Sequence, residues 1–237
     1  MHALPHLSPA DWAALLTFFA CWGGYAWYAE RSARGANGLI RTTQHYRLEW
    51  ARRMLERDLR VADSALIGNL VTSVSFYANT TIYIIAGLVA ALGASDKLIS
   101  VTAELPFGGI GNRELLEIKL MLVLGSFVFA YFKFTWSLRQ FNLLSILVGA
   151  APTGRSGTPE IDLYAQRIAG ANNLAGDDFN RGIRAYYFGL AASGWLLSPV
   201  VLALLAVAIL AVLYRRDFRS EALALLQAPT PPGDGSP

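Results

Sequence analysis

The sequence predicts an all-α, polytopic membrane protein with about four transmembrane helices, some of them extended beyond the bilayer. Three observations predict it. The 237-residue chain is 54% hydrophobic but only 16% charged, whereas a soluble domain carries about 25% charged residues. Its apolar residues are bunched into runs of roughly twenty, the length a helix needs to cross a bilayer. Its basic residues sit beside those runs, where they set topology and meet anionic headgroups.

The first run, 12–28, follows Pro9 and Asp11, which are helix-start signals. Trp22, Tyr25, Trp27 and Tyr28 gather toward its far end, as in an interfacial belt. No Lys or Arg precedes Arg31 and no small-x-small cleavage motif follows, so a retained membrane helix is expected rather than a signal peptide. Residues 29–66 hold eight arginines against five acids. From Leu39 the spacing is helical, and a cytoplasmic basic helix over about 39–66 is expected, on the membrane surface or leading into the next span. Glu49–Arg53 and Glu56–Arg60 are spaced as favourable i,i+4 pairs.

The second run covers about 68–94. The third, 115–138, stays apolar to Gly149, longer than one crossing at about 1.5 Å per residue. A linker rich in Pro, Gly, Ser and Thr follows over 150–159, then an amphipathic helix over 160–178. The fourth run, 183–214, contains Pro199, which a membrane helix tolerates as a kink. Residues 1–223 thus read as one helical membrane domain, and 224–237, ending PTPPGDGSP, as a disordered tail.

Topology follows from the basic residues. The 29–66 segment has eight, the second loop two (Lys97, Arg113), the third four (Arg155, Arg167, Arg181, Arg184) and the tail three (Arg215, Arg216, Arg219). The positive-inside rule puts loop 29–66 in the cytoplasm and the N-terminus outside. Four simple crossings then strand the tail arginines outside. A simple fourth crossing is the expectation, with a re-entrant hairpin folded at Ser198–Pro199 as the alternative. Arginine outnumbers lysine 17 to 3, as in GC-rich bacterial genomes, so a bacterial inner membrane is the expected location.

The net charge of +3 and pI near 9.1 do not imply nucleic acid, because no helix-turn-helix, zinc or ribonucleoprotein pattern accompanies the arginines. The lone Cys21 has no intrachain partner. His2, His6 and His45 form no metal motif, and no GxSxG, P-loop or dinucleotide fingerprint appears. The sequence nominates no catalytic residue, metal or cofactor.

Polar residues inside the runs are the candidate functional positions. Asn69, Thr72, Ser73, Asn79 and Thr80 fall near one face of the second run, either bonding neighbouring helices or lining a wet path. Lys119, Ser126, Lys133 and Gln140 recur every seven residues, and so stay near one face of a straight helix. A lysine within a span needs a partner, a wet cavity or a snorkelling route. Lys133 and Arg139, with Arg181 and Arg184 entering the fourth run, are expected around one basic cytoplasmic mouth suited to an anion or a phospholipid headgroup. Gly182, Ala185, Gly189 and Ala192 have small-xxx-small spacing, which favours close helix packing.

Three strings carry a resemblance: FKFTWSLRQFN (Phe132–Asn142), FNRGIRAYYF (Phe179–Phe188) and GNLVTSVSFYANTTIYIIAGL (Gly68–Leu88). With them the chain, over roughly 11–219, resembles domain-of-unknown-function family 599, membrane proteins of bacteria and plants. The resemblance implies a multi-helix membrane protein and brings no activity, substrate or catalytic residue. Two functions follow as expectations. The first is an oligomeric channel or transporter for a small anion or other small solute. The alternative is a membrane-anchored lipid-binding or protein-interaction scaffold without transport. The expected partners are the bilayer, its anionic headgroups and further copies of the chain.

Overall fold

The computed structural model describes residues 7–34, 39–103, 113–154 and 157–227, and every regular element among them is helical. The helices are α1 (Pro9–Arg34), α2 (Leu39–Leu55), α3 (Val61–Gly93), α4 (Ser95–Ala103), α5 (Arg113–Gly149), α6 (Pro159–Ser193), α7 (Pro199–Phe218) and α8 (Glu221–Gln227), with a 3-10 turn at Gly194–Leu196. Three stretches are long and apolar enough to cross a membrane: Val61–Gly93, Arg113–Gly149 and Pro199–Leu226. The protein is a helical membrane protein.

α5 and α6 form the central antiparallel pair. Phe127 packs against Tyr186, Phe134 against Phe179, and the Ser137 hydroxyl donates to the Ala175 carbonyl at 2.7 Å. Their close approach depends on the small residues of α6. A Cβ at Gly182 would lie 2.6 Å from the Phe134 ring, and one at Gly189 would lie 3.1 Å from Phe127. The small-residue face therefore packs against the phenylalanines of α5. α3 covers this pair by stacking Tyr77 on Phe134, and α1 and α7 cover it nearer the other end.

Contacts along α1 fix the direction of its neighbours. The Trp195 indole at the end of α6 donates to Asp11, Phe188 meets Phe18, and Arg181 donates to Glu30. α6 is therefore antiparallel to α1. On the other side, Ala10 and Ala14 lie beside Pro199 and Ala203, and the Tyr25 hydroxyl donates to Asp217 at 2.6 Å. α7 is therefore parallel to α1 and antiparallel to α6.

This arrangement corrects the expectation of one fourth helix over 183–214. The chain reverses at Ser198, as in the hairpin alternative. α6 ends in the 3-10 turn, and Ser198 is extended (φ −163°, ψ 158°). Its Oγ accepts from the Val201 N–H as an N-cap, and Pro199, which has no N–H to lose, starts the new helix. The amphipathic stretch expected over 160–178 joins the start of the fourth run in one 35-residue helix.

The basic helix expected over 39–66 is likewise divided. α2 stops at Leu55, whose carbonyl accepts from the Gly154 N–H, and α3 begins at Val61. A polar knot holds the break: Asp63 is fully buried and accepts from Trp50 Nε1 and Arg57 Nη1, both at 2.8 Å. Arg60 donates to the Ala151 and Pro152 carbonyls. The Glu49–Arg53 pair forms. Glu56 and Arg60 both lie beyond the end of α2, so their four-residue spacing is not a helical one. The second and third runs lie within α3 and α5, which begin at Val61 and Arg113.

At about 1.5 Å per residue, α5, with 37 residues, is about 55 Å long and α3, with 33, about 50 Å. A hydrocarbon core is about 30 Å thick. Both helices are therefore longer than one crossing requires. Of the tail, residues 221–227 are helical and 228–237 lie outside the described residues.

Candidate functional site

Where α1, α2 and α6 converge, a polar cavity of about 420 Å³ opens beside Glu30, Arg41, Gln44, Asp177, Asn180, Arg181 and Arg184. The side chains on α6 recur at three- and four-residue steps, so one helix face supplies the floor of the cavity. α2 lies across that floor and adds Arg41 and Gln44.

The cations differ in their company. Arg181 Nε lies 3.0 Å from Glu30, and its Nη1 lies 3.6 Å from Asp178. Lys133 reaches the same Asp178 oxygen at 3.2 Å and also sits 5.9 Å over the Phe129 ring. Arg184 is only 6% exposed. It forms no ion pair among the described residues, and its guanidinium lies 5.5 Å over the Tyr25 ring. Burial raises the Asp177 carboxyl above the usual carboxylate range, and Arg47 and Arg181 partly oppose the shift. Burial lowers the Arg47 guanidinium, and Asp177 opposes that shift.

Of the basic mouth expected from sequence, Arg181 and Arg184 line the cavity and Lys133 joins it through Asp178. Arg139 does not join them; it lies exposed over the Trp136 ring at 5.4 Å. Of the heptad series on α5, Lys119 and Ser126 are buried and Gln140 is half-buried. Lys119 Nζ lies 5.9 Å over the Trp195 ring at the opposite end of the bundle, and the Ser126 hydroxyl donates to Leu122 within its own helix. The series therefore spans the bundle and does not gather at one point.

On α3, Asn69, Thr72, Ser73 and Asn79 are exposed and Thr80 is half-buried, while Asp63, Ile67, Val74, Ala78 and Thr81 form the buried face. The hydroxyls of Thr72, Ser73 and Thr80 each donate to the carbonyl four residues earlier. In the single chain the polar stripe faces outward. Its lower members, Asn69 and Ser73, border a second cavity between α2, α3 and α6.

Sequence reasoning missed Glu30, Arg41, Gln44, Asp177 and Asn180. A usable signal was present: Lys133 needed a partner, and Asp178 lies on the same helix as Arg181 and Arg184. Among the described residues no group of three His, Cys, Asp or Glu could hold a metal ion.

The fold and this edge-of-bundle basic cavity define a multi-helix membrane protein with a cluster of charge at one end. The family described as "Protein of unknown function, DUF599" matches residues 13–222, and the chain belongs to it. No curated protein and no solved structure matches the chain.

Proposed function

We propose that this is a multi-pass protein of the bacterial inner membrane that binds the anionic headgroup of a phospholipid at its cytoplasmic edge. Arg184 carries the reading: a buried guanidinium over an aromatic ring, with the raised Asp177 carboxyl as an electrostatic neighbour and no ion pair among the described residues, lines a polar cavity beside Arg41 and Arg181. A buried cation without a close ion pair is costly, and a phosphodiester offers the bidentate acceptor that arginine favours.

The proposed orientation has the N-terminus outside, and the hairpin at Ser198 supports it. With α7 returning alongside α1, Arg215, Arg216 and Arg219 lie on the same side as loop 29–66. The conflict in the charge count disappears, and only Lys97 and Arg113 remain outside.

The test is lipid selectivity. In nanodiscs that mix phosphatidylglycerol with phosphatidylcholine, native mass spectrometry should find phosphatidylglycerol enriched on the wild type and not on Arg184→Gln. Equal retention of the two lipids by the wild type would refute the reading.

A second reading, an oligomeric channel or transporter for a small anion, draws support from the outward polar stripe Asn69, Thr72, Ser73 and Asn79, which a second copy could cover or turn into a wet path. It requires anion flux in proteoliposomes that Lys133→Ala alters, and self-association of the purified protein. Absence of flux under every imposed gradient removes it.

A further inference from the structure

The second cavity, about 510 Å³ between α2, α3, α5 and α6, has a different chemistry from the arginine-lined one. Its walls are apolar: Leu70 and Val74 from α3, Phe141 from α5 and Phe179 from α6. The volume falls within the roughly 300–1,000 Å³ typical of small-molecule sites. Leu70 and Ser73 at its rim are exposed, and Leu70 is 43% exposed, so the cavity opens sideways through α3 rather than into the bundle.

Two polar side chains in this wall lack the partners their burial calls for. Asn172 is 5% exposed, and its Oδ1 accepts no hydrogen bond. A buried acceptor without a donor costs free energy comparable to a lost hydrogen bond. Arg47 is half-buried and forms no ion pair among the described residues. Its Nη1 donates to the neutral Asn173 amide at 3.1 Å, and its guanidinium rests on Gly176, where a Cβ would collide with it. The cavity thus offers an apolar trough, a hydrogen-bond acceptor awaiting a donor, and a cation that has the Asp177 charge nearby but no ion pair among the described residues.

We propose that this cavity binds a single-chain anionic amphiphile bearing a free hydroxyl, the chemistry of a lysophospholipid. The alkyl chain lies along Leu70, Val74, Phe141 and Phe179. The acidic group meets Arg47, and the hydroxyl donates to Asn172 Oδ1. A diacyl lipid differs in that its second chain has no trough and its backbone glycerol has no free hydroxyl beside the acyl chain. The assignment is independent of the headgroup site at Arg184, which uses other cations and another opening.

The full chain in phosphatidylcholine nanodiscs is titrated with lysophosphatidylglycerol and with tetradecyl sulfate, which has the chain and the anionic group but no hydroxyl. Lysophosphatidylglycerol is expected to bind saturably, one per chain. Leu70→Trp, a change at a partly exposed position that spares the fold, should abolish binding. Arg47→Gln should weaken both ligands. Asn172→Leu should weaken lysophosphatidylglycerol by about three- to tenfold, the range of one neutral hydrogen bond, and leave tetradecyl sulfate unchanged. The proposal is overturned if the wild type shows no saturable binding, if Leu70→Trp binds as tightly as the wild type, or if diacyl phosphatidylglycerol competes equally. A loss in Arg184→Gln as large as that in Arg47→Gln would assign the lipid to the other cavity and also overturn it.

Discussion

Replacing Asp178 with leucine removes the counter-charge of Lys133 at the contact between α5 and α6. The two groups lie 3.2 Å apart, with Asp178 only 6% exposed and the lysine side chain 25% exposed. At an effective dielectric near 20, the direct attraction at that separation is about 5 kcal/mol. Stranding one partner of a fully buried pair costs about 3–5 kcal/mol. Two features reduce the figure here. Lys133 keeps a quarter of its exposure, and Arg181 retains Glu30 at 3.0 Å, so only one charge is orphaned. The expected loss is about 2–3 kcal/mol. The assay is a double-mutant cycle of Lys133→Met, Asp178→Leu and both, followed by reversible unfolding in mixed micelles. The double variant should recover most of the loss of the Asp178 variant, since it leaves no stranded charge. Losses that add to within about 0.5 kcal/mol would show the pair to be uncoupled and refute the reasoning.

Other perturbations test other parts of the account. Gly182→Val forces atoms against the Phe134 ring, where a Cβ alone would lie 2.6 Å away; a loss of about 2 kcal/mol or more is expected in the same unfolding assay. Trp50→Phe leaves the fully buried Asp63 with Arg57 as its remaining side-chain donor, and should cost about 1–3 kcal/mol. Binding of a phosphodiester headgroup should tighten on acidification, as Asp177, raised by burial, takes up a proton and its negative charge leaves the cavity wall. A lipid-binding titration against pH should show this trend in the wild type and lose most of it in Asp177→Asn, with the Glu30 and Asp178 ion pairs intact in both. Stability should shift with the same sign. A carboxyl with a raised folded value holds its proton more tightly when folded, so its contribution improves as pH falls through that value.

The fold class was readable from the chain because a bilayer demands long apolar runs whatever the rest of the sequence does. Helix ends were less readable where polar side chains decide them. Leu55 ends α2 because Gly154, a hundred residues later, donates to its carbonyl, and no local pattern encodes that contact. At 198–199 the signal was local but ambiguous: Ser-Pro is both a tolerated membrane kink and an N-cap followed by a first-turn proline. The tail arginines held the deciding information, since only a reversal brings them to the side of loop 29–66. In the candidate site, Arg181 and Arg184 were readable as basic residues at a helix entrance. Their partners were not. Glu30 and Arg41 lie about 140–150 residues away along the chain, and only the packing of α1 and α2 on α6 brings them into one cavity. The stripe on α3 shows the opposite limit: periodicity found the face, but its outward direction depends on where α5 and α6 pack.

Cysteine accessibility tests the central claim, that the chain reverses at Ser198 and gathers its basic segments on one side of the membrane. In a Cys21→Ala background, single substitutions Glu49→Cys, Leu197→Cys and Glu221→Cys are exposed to a membrane-impermeant thiol reagent in intact spheroplasts. The account predicts labelling at 197 without permeabilisation, and labelling at 49 and 221 only after it. Labelling at 221 in intact spheroplasts would contradict it.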